Sequence, residues 1–152
     1  MAQTENNDVI LLSIHPEFAK AIMGGKKKIE FRKLNIPKSI KQVVLYATAP
    51  ERKIVGYFSV KKIVEATPTE LWKVYKRISG VKRNYLLNYY KNSQLGVGIL
   101  VSDVVELQNP IPIFLEDSGF RPTQSFSYVE KRLWYNLKRR RKKQEPTNQL
   151  SG

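Results

Sequence analysis

Short apolar segments with the length and composition of β-strands recur along this chain, and they constrain its fold more than any other feature. They lie at residues 9–14, 28–32, 42–48, 53–64, 95–107 and 125–129. Valine, isoleucine and aromatic side chains dominate them, as is typical of strands. Helical spacing interrupts the strands after His15 and over residues 68–79 and 82–91. The order β-α-β-β-β-α-α-β-β, with short connections, predicts an α+β domain in which a curled sheet or small mixed β-barrel carries flanking helices.

The predicted helices have recognisable boundaries. Pro16 stands at a first helical position, and Gly24-Gly25 ends that helix after about two turns. Thr67 is a predicted N-cap for the second helix, because its hydroxyl can accept a hydrogen bond from a backbone N–H of the first turn. The helical side chains that we expect to pack inward are Leu71, Trp72, Tyr75, Leu86, Leu87 and Tyr90.

The length of 152 residues suits one domain. We expect this domain to span residues 1–130 and a basic C-terminal extension, helix or tail, to span residues 131–152, with the last residues disordered. Cysteine is absent, which suits a reducing cytoplasm. No apolar run approaches the roughly 18 residues that a membrane span requires. The expectation is a cytoplasmic protein, a monomer, that has no membrane partner.

The net charge of +14 favours a polyanionic partner, since phosphates attract lysine and arginine through counterion release. Residues 131–152 carry eight basic residues against one acidic residue, so half of the excess charge lies there. Leu133 and Leu137 are four residues apart, with Trp134 beside Leu133, which predicts a helix docked by one face. The predicted phosphate contacts in this segment are Lys138, Arg139, Arg140 and Arg141. A nuclear-localisation signal and an anionic membrane surface are alternative roles for the same segment.

The segment GGKKKIEFRK, residues 24–33, brings a carboxylate between cations. The two-residue period of a strand puts Lys28, Glu30 and Arg32 on one face, and Lys27 falls in the preceding turn. A lysine and a carboxylate held together in a cleft shift each other's pKa and can serve as an acid/base pair or an electrostatic clamp. The alternative is a solvated strand face in which Glu30 and Arg32 form a weak surface salt bridge.

The segment LLSIHPEFAKAIMGGKKKIEFRK resembles the start of ASCH domains, which belong to the PUA-like superfamily. Their pattern of G-x-K-x-x-E-x-R falls on Gly25, Lys27, Glu30 and Arg32. The segments VVLYATAPERKIVGYFSV, LGVGILVSDVVEL and RPTQSFSYVE continue the resemblance. It implies a PUA-like barrel with a cleft that binds RNA or a nucleotide.

The same resemblance implies two possible chemistries, because some ASCH proteins are ribonucleases and others remove an acyl group from modified cytidine. In the second type the motif lysine, here Lys27, is catalytic, and threonine stands where this chain has Glu30. If the protein is an enzyme, Lys27 and Glu30 are the predicted catalytic residues. Candidates for a further catalytic carboxylate are Glu65, Glu70 and Glu106.

Several other residues are candidates for the cleft. Tyr46 can stack on a base or fill the core, and Thr48 follows it at the end of the same strand. Ser125 is a candidate only through the resemblance, and the lone His15 can line the cleft or be incidental.

No cluster has metal-ligand spacing, so neither a metal nor a cofactor is expected. The sequence thus predicts a nucleic-acid-binding protein that prefers RNA to DNA; the nucleic-acid contacts proposed in the motif are Lys27, Lys28 and Arg32. A DNA-binding regulator is a further alternative, although no helix-turn-helix is evident.

Overall fold

The computed structural model describes residues 5–33, 35–113 and 126–144. Its six strands are β1 (Glu5–Ile14), β2 (Ile29–Arg32), β3 (Gln42–Ala47), β4 (Lys53–Ala66), β5 (Gly96–Pro112) and β6 (Ser127–Glu130). Its four α-helices are α1 (Pro16–Met23), α2 (Pro68–Tyr75), α3 (Arg83–Tyr89) and α4 (Lys131–Arg139), and a 3₁₀ turn, Lys76–Ile78, follows α2. The α+β order predicted from the sequence is confirmed.

The strands form one mixed sheet in the order β2-β5-β4-β3-β1-β6. Strands β1 and β3 are parallel, and the other neighbouring pairs are antiparallel. Register shifts interrupt the β4–β5 ladder at three places, which bends these long strands. In the hydrogen-bonded order of the described residues, β2 and β6 stand at the two ends. Closure of the sheet into a barrel therefore stays a prediction.

Strand β5 continues through Pro110 to Pro112, since Ile111 faces Ile54 and Pro112 faces Lys53 on β4. On its other side, β5 pairs with β2 only over Val97–Leu100. Beyond that contact, one side of the strand lacks a ladder with β2. A proline is compatible with such a half-paired stretch because its missing N–H removes no interior ladder bond.

The sheet has apolar packing on both faces. One cluster contains Ile10, Leu12, Val43, Leu45 and Phe58 and covers the face against α1. The opposite face carries Val9, Leu11, Val44 and Tyr46, and α4 packs onto it. A third cluster joins β2 to α2 and α3 through Ile29, Phe31, Leu71, Leu86 and Tyr90. The Tyr90 hydroxyl lies 3.0 Å from the Arg32 carbonyl oxygen, which ties α3 to the end of β2.

Helix α4 is docked, as the leucine spacing predicts. Leu137 is fully buried and Trp134 nearly so, with the Trp134 ring edge-on to Tyr57 at 4.9 Å between centroids. The chain after α4 then pairs with β5, because Gln108 N donates to Arg141 O at 3.0 Å and Lys143 N donates to Glu106 O at 2.8 Å. The predicted domain boundary at residue 130 stays a prediction, and so does disorder of the last residues, since residues 145–152 lie outside the described ranges.

Two local predictions about helix ends are confirmed. Pro16 opens α1, and the Thr67 hydroxyl caps α2 by accepting a hydrogen bond from Glu70 N at 3.2 Å. After α1, the backbone N–H groups of Lys26 and Lys27 both donate to Ala21 O, which turns the chain sharply toward β2. This turn sets Lys27 beneath α1. Of the helices described, none has the length and apolar character needed to cross a membrane.

Candidate functional site: a buried Lys-Glu-Arg cleft

A cavity of about 500 Å³ lies beside the carboxyl ends of the parallel strands β1 and β3, between α1, β2 and α3. This volume falls within the range of small-molecule sites in proteins. Its walls combine charged, hydroxyl and aromatic side chains. The lining residues are Ser13, Ile14, His15, Phe18, Lys27, Glu30, Phe31, Arg32, Lys33, Thr48, Val81, Tyr85, Leu86 and Tyr89.

Lys27 is the most buried cation of this cavity, with only 1% of its surface exposed. Its Nζ donates a 2.6 Å hydrogen bond to the carbonyl oxygen of Ser79. The same ammonium lies 5.3 Å from the ring centre of Phe18 and 5.0 Å from that of Phe31, within cation–π distance. Burial lowers the pKa of Lys27 below the ordinary lysine value, and the nearby Glu30 carboxylate opposes that shift.

A tight turn after the 3₁₀ segment holds Lys27 in place. The Ser79 hydroxyl lies within hydrogen-bonding distance of Lys76 O, Val81 O and Val81 N, and this network fixes the carbonyl that Lys27 uses. Gly80 has φ +66°, and a Cβ there would lie 2.7 Å from Lys27 Cβ. The turn therefore packs against the lysine stem with no room for a side chain at residue 80.

Glu30 lies between two cations. Its Oε1 accepts a 3.1 Å hydrogen bond from Phe31 N and lies 3.9 Å from Lys27 Nζ. Its Oε2 lies 3.8 Å from Arg32 Nε. Only 6% of Glu30 is exposed, so the interpretation of this strand as a solvated face with a surface salt bridge is wrong. The physical reason is that α1, α3 and the end of β1 surround the cavity, so the charged side of β2 is enclosed by these elements instead of being open to water.

Arg32 supplies a second, partly buried cation. Its Nη2 donates to the carbonyl oxygen of Ser13 on β1 at 2.5 Å, which bridges the ends of β1 and β2. Its Nε is buried and has no hydrogen-bond partner in the part of the chain that the structure describes. A buried N–H without an acceptor is costly, and such atoms at a cavity wall are available to a ligand.

Aromatic rings form the remaining wall of the cleft. Tyr85 and Tyr89, one turn apart on α3, are nearly parallel, with 5° between ring planes and 6.5 Å between centroids. Phe18 meets Tyr85 edge-on at 5.4 Å, and Lys33 Nζ lies 4.8 Å from the Tyr89 ring centre. Burial raises the pKa of both tyrosines, so both hydroxyls stay protonated near neutral pH. Tyr85 is 44% exposed, which makes its ring accessible from outside.

The other predicted site residues fall in different places. His15 and Thr48 line the cavity. Lys28 is exposed and outside the cavity lining. It lies just before β2, where its backbone N–H donates to Ile78 O. Tyr46 is 3% exposed and packs in the core cluster beneath α4. Ser125 lies outside the described residues.

The basic residues Lys138, Arg139, Arg140 and Arg141 are all exposed at the end of α4. None of Glu65, Glu70 and Glu106 lines the cavity, and Glu106 instead pairs with Lys143 at 3.7 Å. Within the described ranges, no group of three or more His, Cys, Asp or Glu residues is arranged to hold a metal ion.

Four of the lining residues are not among the cleft residues predicted from the sequence: Phe18, Lys33, Tyr85 and Tyr89. The spacing of four between Tyr85 and Tyr89 was the available signal, since it puts both rings on one face of a helix. Phe18 carries a similar signal, as it follows Pro16 in the helix that leads directly into the motif.

The fold and site together define an α+β domain whose cleft, between a curled sheet and two helical elements, is built around a buried lysine and its flanking carboxylate. The sequence model of the ASCH domain family matches residues 12–109 of this chain. The chain belongs to the ASCH domain family.

Solved and characterised relatives agree with this assignment. The chain is 30% identical over 128 residues to the ASCH domain-containing ribonuclease of Zymomonas mobilis, covering 80% of this chain and 84% of that protein. The solved structure of ASCH from Zymomonas mobilis superposes with a TM-score of 0.77 at 28% identity, over 87% of this chain and 94% of that one. A tyrosine-to-phenylalanine form of the same protein gives 0.78 at 28% identity, over 86% and 96%. The N-terminal domain of Staphylothermus marinus McrB shares the fold alone, at 9% identity with a TM-score of 0.54, over 86% and 93% of the two chains.

Proposed function

We propose that this protein binds single-stranded RNA and receives one nucleotide of it in the cleft. The observation that carries the proposal is the burial of Lys27 at the wall of a cavity of about 500 Å³. A buried ammonium is expensive, and a cation held at a cavity wall can be matched there by an oxygen-rich ligand. The name of the Zymomonas mobilis relative, a ribonuclease, supports RNA over DNA.

The charges of the cleft suit a nucleotide. Lys27, Arg32 and Lys33 line the cavity against the single carboxylate of Glu30 among the lining residues. The balance is therefore positive, which attracts phosphate and carbonyl oxygens. The Nε of Arg32, which has no hydrogen-bond partner among the described residues, offers a donor to such an oxygen.

The aromatic wall suits a base. Single-stranded RNA exposes its bases, and proteins commonly stack them on aromatic rings. Tyr85 has an accessible ring, and Phe18 approaches it edge-on. A base entering between these rings and the charged floor presents its polar edge to Glu30.

The exposed cations at the end of α4 and in the two residues after it, called the α4 cations below, add affinity that does not depend on sequence. Lys138, Arg139, Arg140 and Arg141 are exposed, while the opposite side of α4 is buried in the domain. Cations fixed on a docked helix can contact phosphates of the flanking strand. In this proposal the cleft selects the nucleotide and α4 holds the strand.

Binding of a fluorescein-labelled single-stranded RNA, measured by anisotropy at fixed salt, tests the proposal. Lys27→Met removes the buried cation and keeps most of the length of the side chain. The matched control is Lys38→Ala, because Lys38 is exposed and precedes β3, at the end of the parallel strands remote from the cleft. We expect Lys27→Met to weaken binding about tenfold or more, as removal of a charge-assisted hydrogen bond does. Equal affinities for Lys27→Met and Lys38→Ala, with both variants folded, would overturn the proposal.

Cleavage of the bound RNA is a second candidate function, favoured by the 3.9 Å separation of Lys27 Nζ and Glu30 Oε1 in the cleft. Glu30 would accept the proton of a ribose 2′-hydroxyl, whose oxygen forms a bond to phosphorus while the bond from phosphorus to the 5′-oxygen breaks. Lys27 would give a proton to that departing oxygen. The products are a 2′,3′-cyclic phosphate and a free 5′-hydroxyl. The lowered pKa of Lys27 suits an acid that acts near neutral pH.

An RNA with one 2′-deoxy nucleotide at each position in turn distinguishes binding from cleavage, with a panel of acylated cytidines assayed alongside. Cleavage that stops at the deoxy position, and that Lys27→Met and Glu30→Gln both abolish, establishes the ribonuclease. RNA binding without any product supports the binding function alone. Release of an acyl group from cytidine by the wild type, absent in Lys27→Met, would instead establish the amidohydrolase.

A further inference from the structure

The polar floor of the cleft has a fixed order of hydrogen-bonding character. Lys27, a donor, lies 3.9 Å from one oxygen of Glu30, and Arg32 Nε, also a donor, lies 3.8 Å from the other. The ionised carboxylate between them only accepts. All three residues line the cavity, so a ligand that enters meets a donor, an acceptor and a donor in that order.

The four RNA bases differ in the edge that they would offer to such a floor. Uracil presents a carbonyl, an N–H and a carbonyl, which is acceptor, donor and acceptor. Cytosine presents an amino group, a bare ring nitrogen and a carbonyl; guanine presents a carbonyl, an N–H and an amino group. Adenine presents an amino group and a bare ring nitrogen. Of these, only the uracil edge is complementary at all three positions.

We propose that the cleft selects the imide edge of uracil, with N3–H donating to Glu30 and the two carbonyl oxygens accepting from Lys27 and Arg32. This inference rests on the proposed function, because it assumes that the cleft receives a base. Thymine carries the same imide edge, so the chemistry is shared by uridine in RNA and thymidine in DNA.

The state of Arg32 supports this assignment. Its Nη2 is engaged by the Ser13 carbonyl, which holds the guanidinium against β1, while the buried Nε has no hydrogen-bond partner in the described part of the chain. Orientation by Ser13 fixes where Nε points relative to Glu30. An incoming carbonyl oxygen would satisfy that N–H, which offsets the cost of its desolvation.

The other bases leave like groups facing each other. The bare N3 of cytosine would set a lone pair against the Glu30 carboxylate, and its amino group would set a donor against Lys27 or Arg32. Guanine can direct its N1–H and its amino group to the two oxygens of Glu30 and its carbonyl to one cation, but it then offers no acceptor to the other cation. Mismatches of this kind between buried polar groups give strong discrimination, because neither group can be satisfied by water.

An RNA octamer with one base at its centre and abasic sugars elsewhere tests the inference, with 2′-fluoro at the central nucleotide so that cleavage cannot occur. The central base is uracil, cytosine, guanine, adenine or N3-methyluracil, and affinities are measured by anisotropy. We expect uracil to bind roughly tenfold tighter than cytosine or more, in line with a bidentate base contact. N3-methyluracil should fall to the level of cytosine, because its methyl group replaces the N–H. This comparison needs no protein variant.

The results separate this inference from the proposed function. Equal affinity for all five central bases, with binding still weakened in Lys27→Met, would overturn the uracil assignment and leave the RNA-binding function standing. Affinity that Lys27→Met does not change would overturn both. Glu30→Gln should reduce the preference for uracil over cytosine, and an unchanged preference contradicts the inference. Matched octamers with deoxyribose and uracil or thymine identify the source: equal binding assigns recognition to the imide edge alone, and weaker binding of both adds a contact to the ribose.

Discussion

At the scale of single residues, the burial of Lys27 carries a free-energy cost. A lysine with 1% of its surface exposed loses its hydration, and the partial compensations are the Ser79 carbonyl, two aromatic rings and the more distant Glu30. An apolar side chain of similar length could occupy the same space without an ionic partner. In the function that we propose, a ligand bound in the cavity compensates this cost.

The buried state of Lys27 predicts a pH dependence of stability. Because burial lowers its pKa in the folded protein, the unfolded chain binds more protons than the folded one between that lowered pKa and the ordinary lysine value. The free energy of unfolding then rises with pH across this window. We expect the difference in unfolding free energy between wild type and Lys27→Met to shift in favour of the wild type as pH increases, measured by urea denaturation at several alkaline pH values. A pH-independent difference would contradict the assignment. RNA affinity should change in the opposite direction, since the cation is neutralised.

Residues that carry charge in a motif were predictable from the sequence, and their surroundings were not. Lys27, Glu30 and Arg32 follow from the segment at residues 24–33, and all three meet in the cleft. Lys28 is next to Lys27 in the chain yet is exposed, because the turn into β2 points neighbouring side chains apart. Tyr46 carries the right chemistry for stacking but is held in the core under α4. Such differences depend on which element covers which face, and periodicity alone does not contain that information.

At the scale of elements, the turn at Ser79–Val81 acts as the support of the site. It is far from the motif in sequence, so nothing in residues 24–33 indicates it. Its geometry depends on Gly80, whose φ of +66° favours glycine and whose missing side chain leaves space for the Lys27 stem.

Gly80→Ala tests this support, and Gly25→Ala is a matched control. Both glycines have positive φ, at +66° and +80°, so both substitutions carry a similar backbone strain of about 1 kcal/mol. Only at residue 80 would the new Cβ meet Lys27, at 2.7 Å from its Cβ, whereas nothing lies within 4 Å at residue 25. We expect Gly80→Ala to lose about 1–3 kcal/mol more stability and to weaken RNA binding, by thermal unfolding and anisotropy. Equal losses of stability and of RNA affinity in the two variants would show that the turn does not support Lys27.

Strand β2 shows how an element can be predicted correctly while its environment is not. Ile29 and Phe31 alternate with charged residues, and the strand forms over Ile29–Arg32 as this pattern indicates. The pattern also indicates a solvated charged face, but Glu30 is buried. The charged side of an amphipathic strand is exposed to water only if no other element packs over it. Here α1, α3 and the end of β1 enclose that side of β2 around the cavity.

At the scale of the whole molecule, the basic C-terminal segment has two roles that the sequence presents as one. Trp134 and Leu137 complete the core against β1, β3 and β4, while the cations of the same helix stay exposed. A helix with a strongly apolar stripe and a basic remainder can be recognised from sequence. That its stripe closes one face of the sheet could not be, because the partner residues are spread over three strands.

The structural role of α4 predicts a cost for its buried leucine. Leu137 is fully buried, whereas Leu95 is 50% exposed before β5. We expect Leu137→Ala to destabilise the protein by about 2–5 kcal/mol and Leu95→Ala by less than about 1 kcal/mol, measured by chemical denaturation. A destabilisation at Leu137 no larger than that at Leu95 would mean that α4 is not part of the folded core.

The electrostatic role of the same segment predicts a change in the salt dependence of RNA affinity. Substitution measures this change better than truncation does, because it leaves the core intact. Replacing Lys138, Arg139, Arg140 and Arg141 by glutamine leaves Trp134 and Leu137 in place. The slope of log affinity against log salt should become shallower by about 0.7 for each phosphate of a single strand that the protein no longer neutralises. An unchanged slope would exclude these residues from phosphate binding. The preference among central bases should stay as in the wild type, since it originates in the cleft.

The central claim is that a base of single-stranded RNA enters the cleft beside Lys27, and zero-length ultraviolet crosslinking tests it most directly. A mixed-sequence RNA is irradiated with the protein, and the crosslinked peptides are identified by mass spectrometry. We expect crosslinks at Phe18, Tyr85 or Tyr89, which are retained when the α4 cations are replaced by glutamine and abolished in Lys27→Met. Crosslinks confined to α4, at Trp134 or the 55% exposed Tyr135, would contradict it.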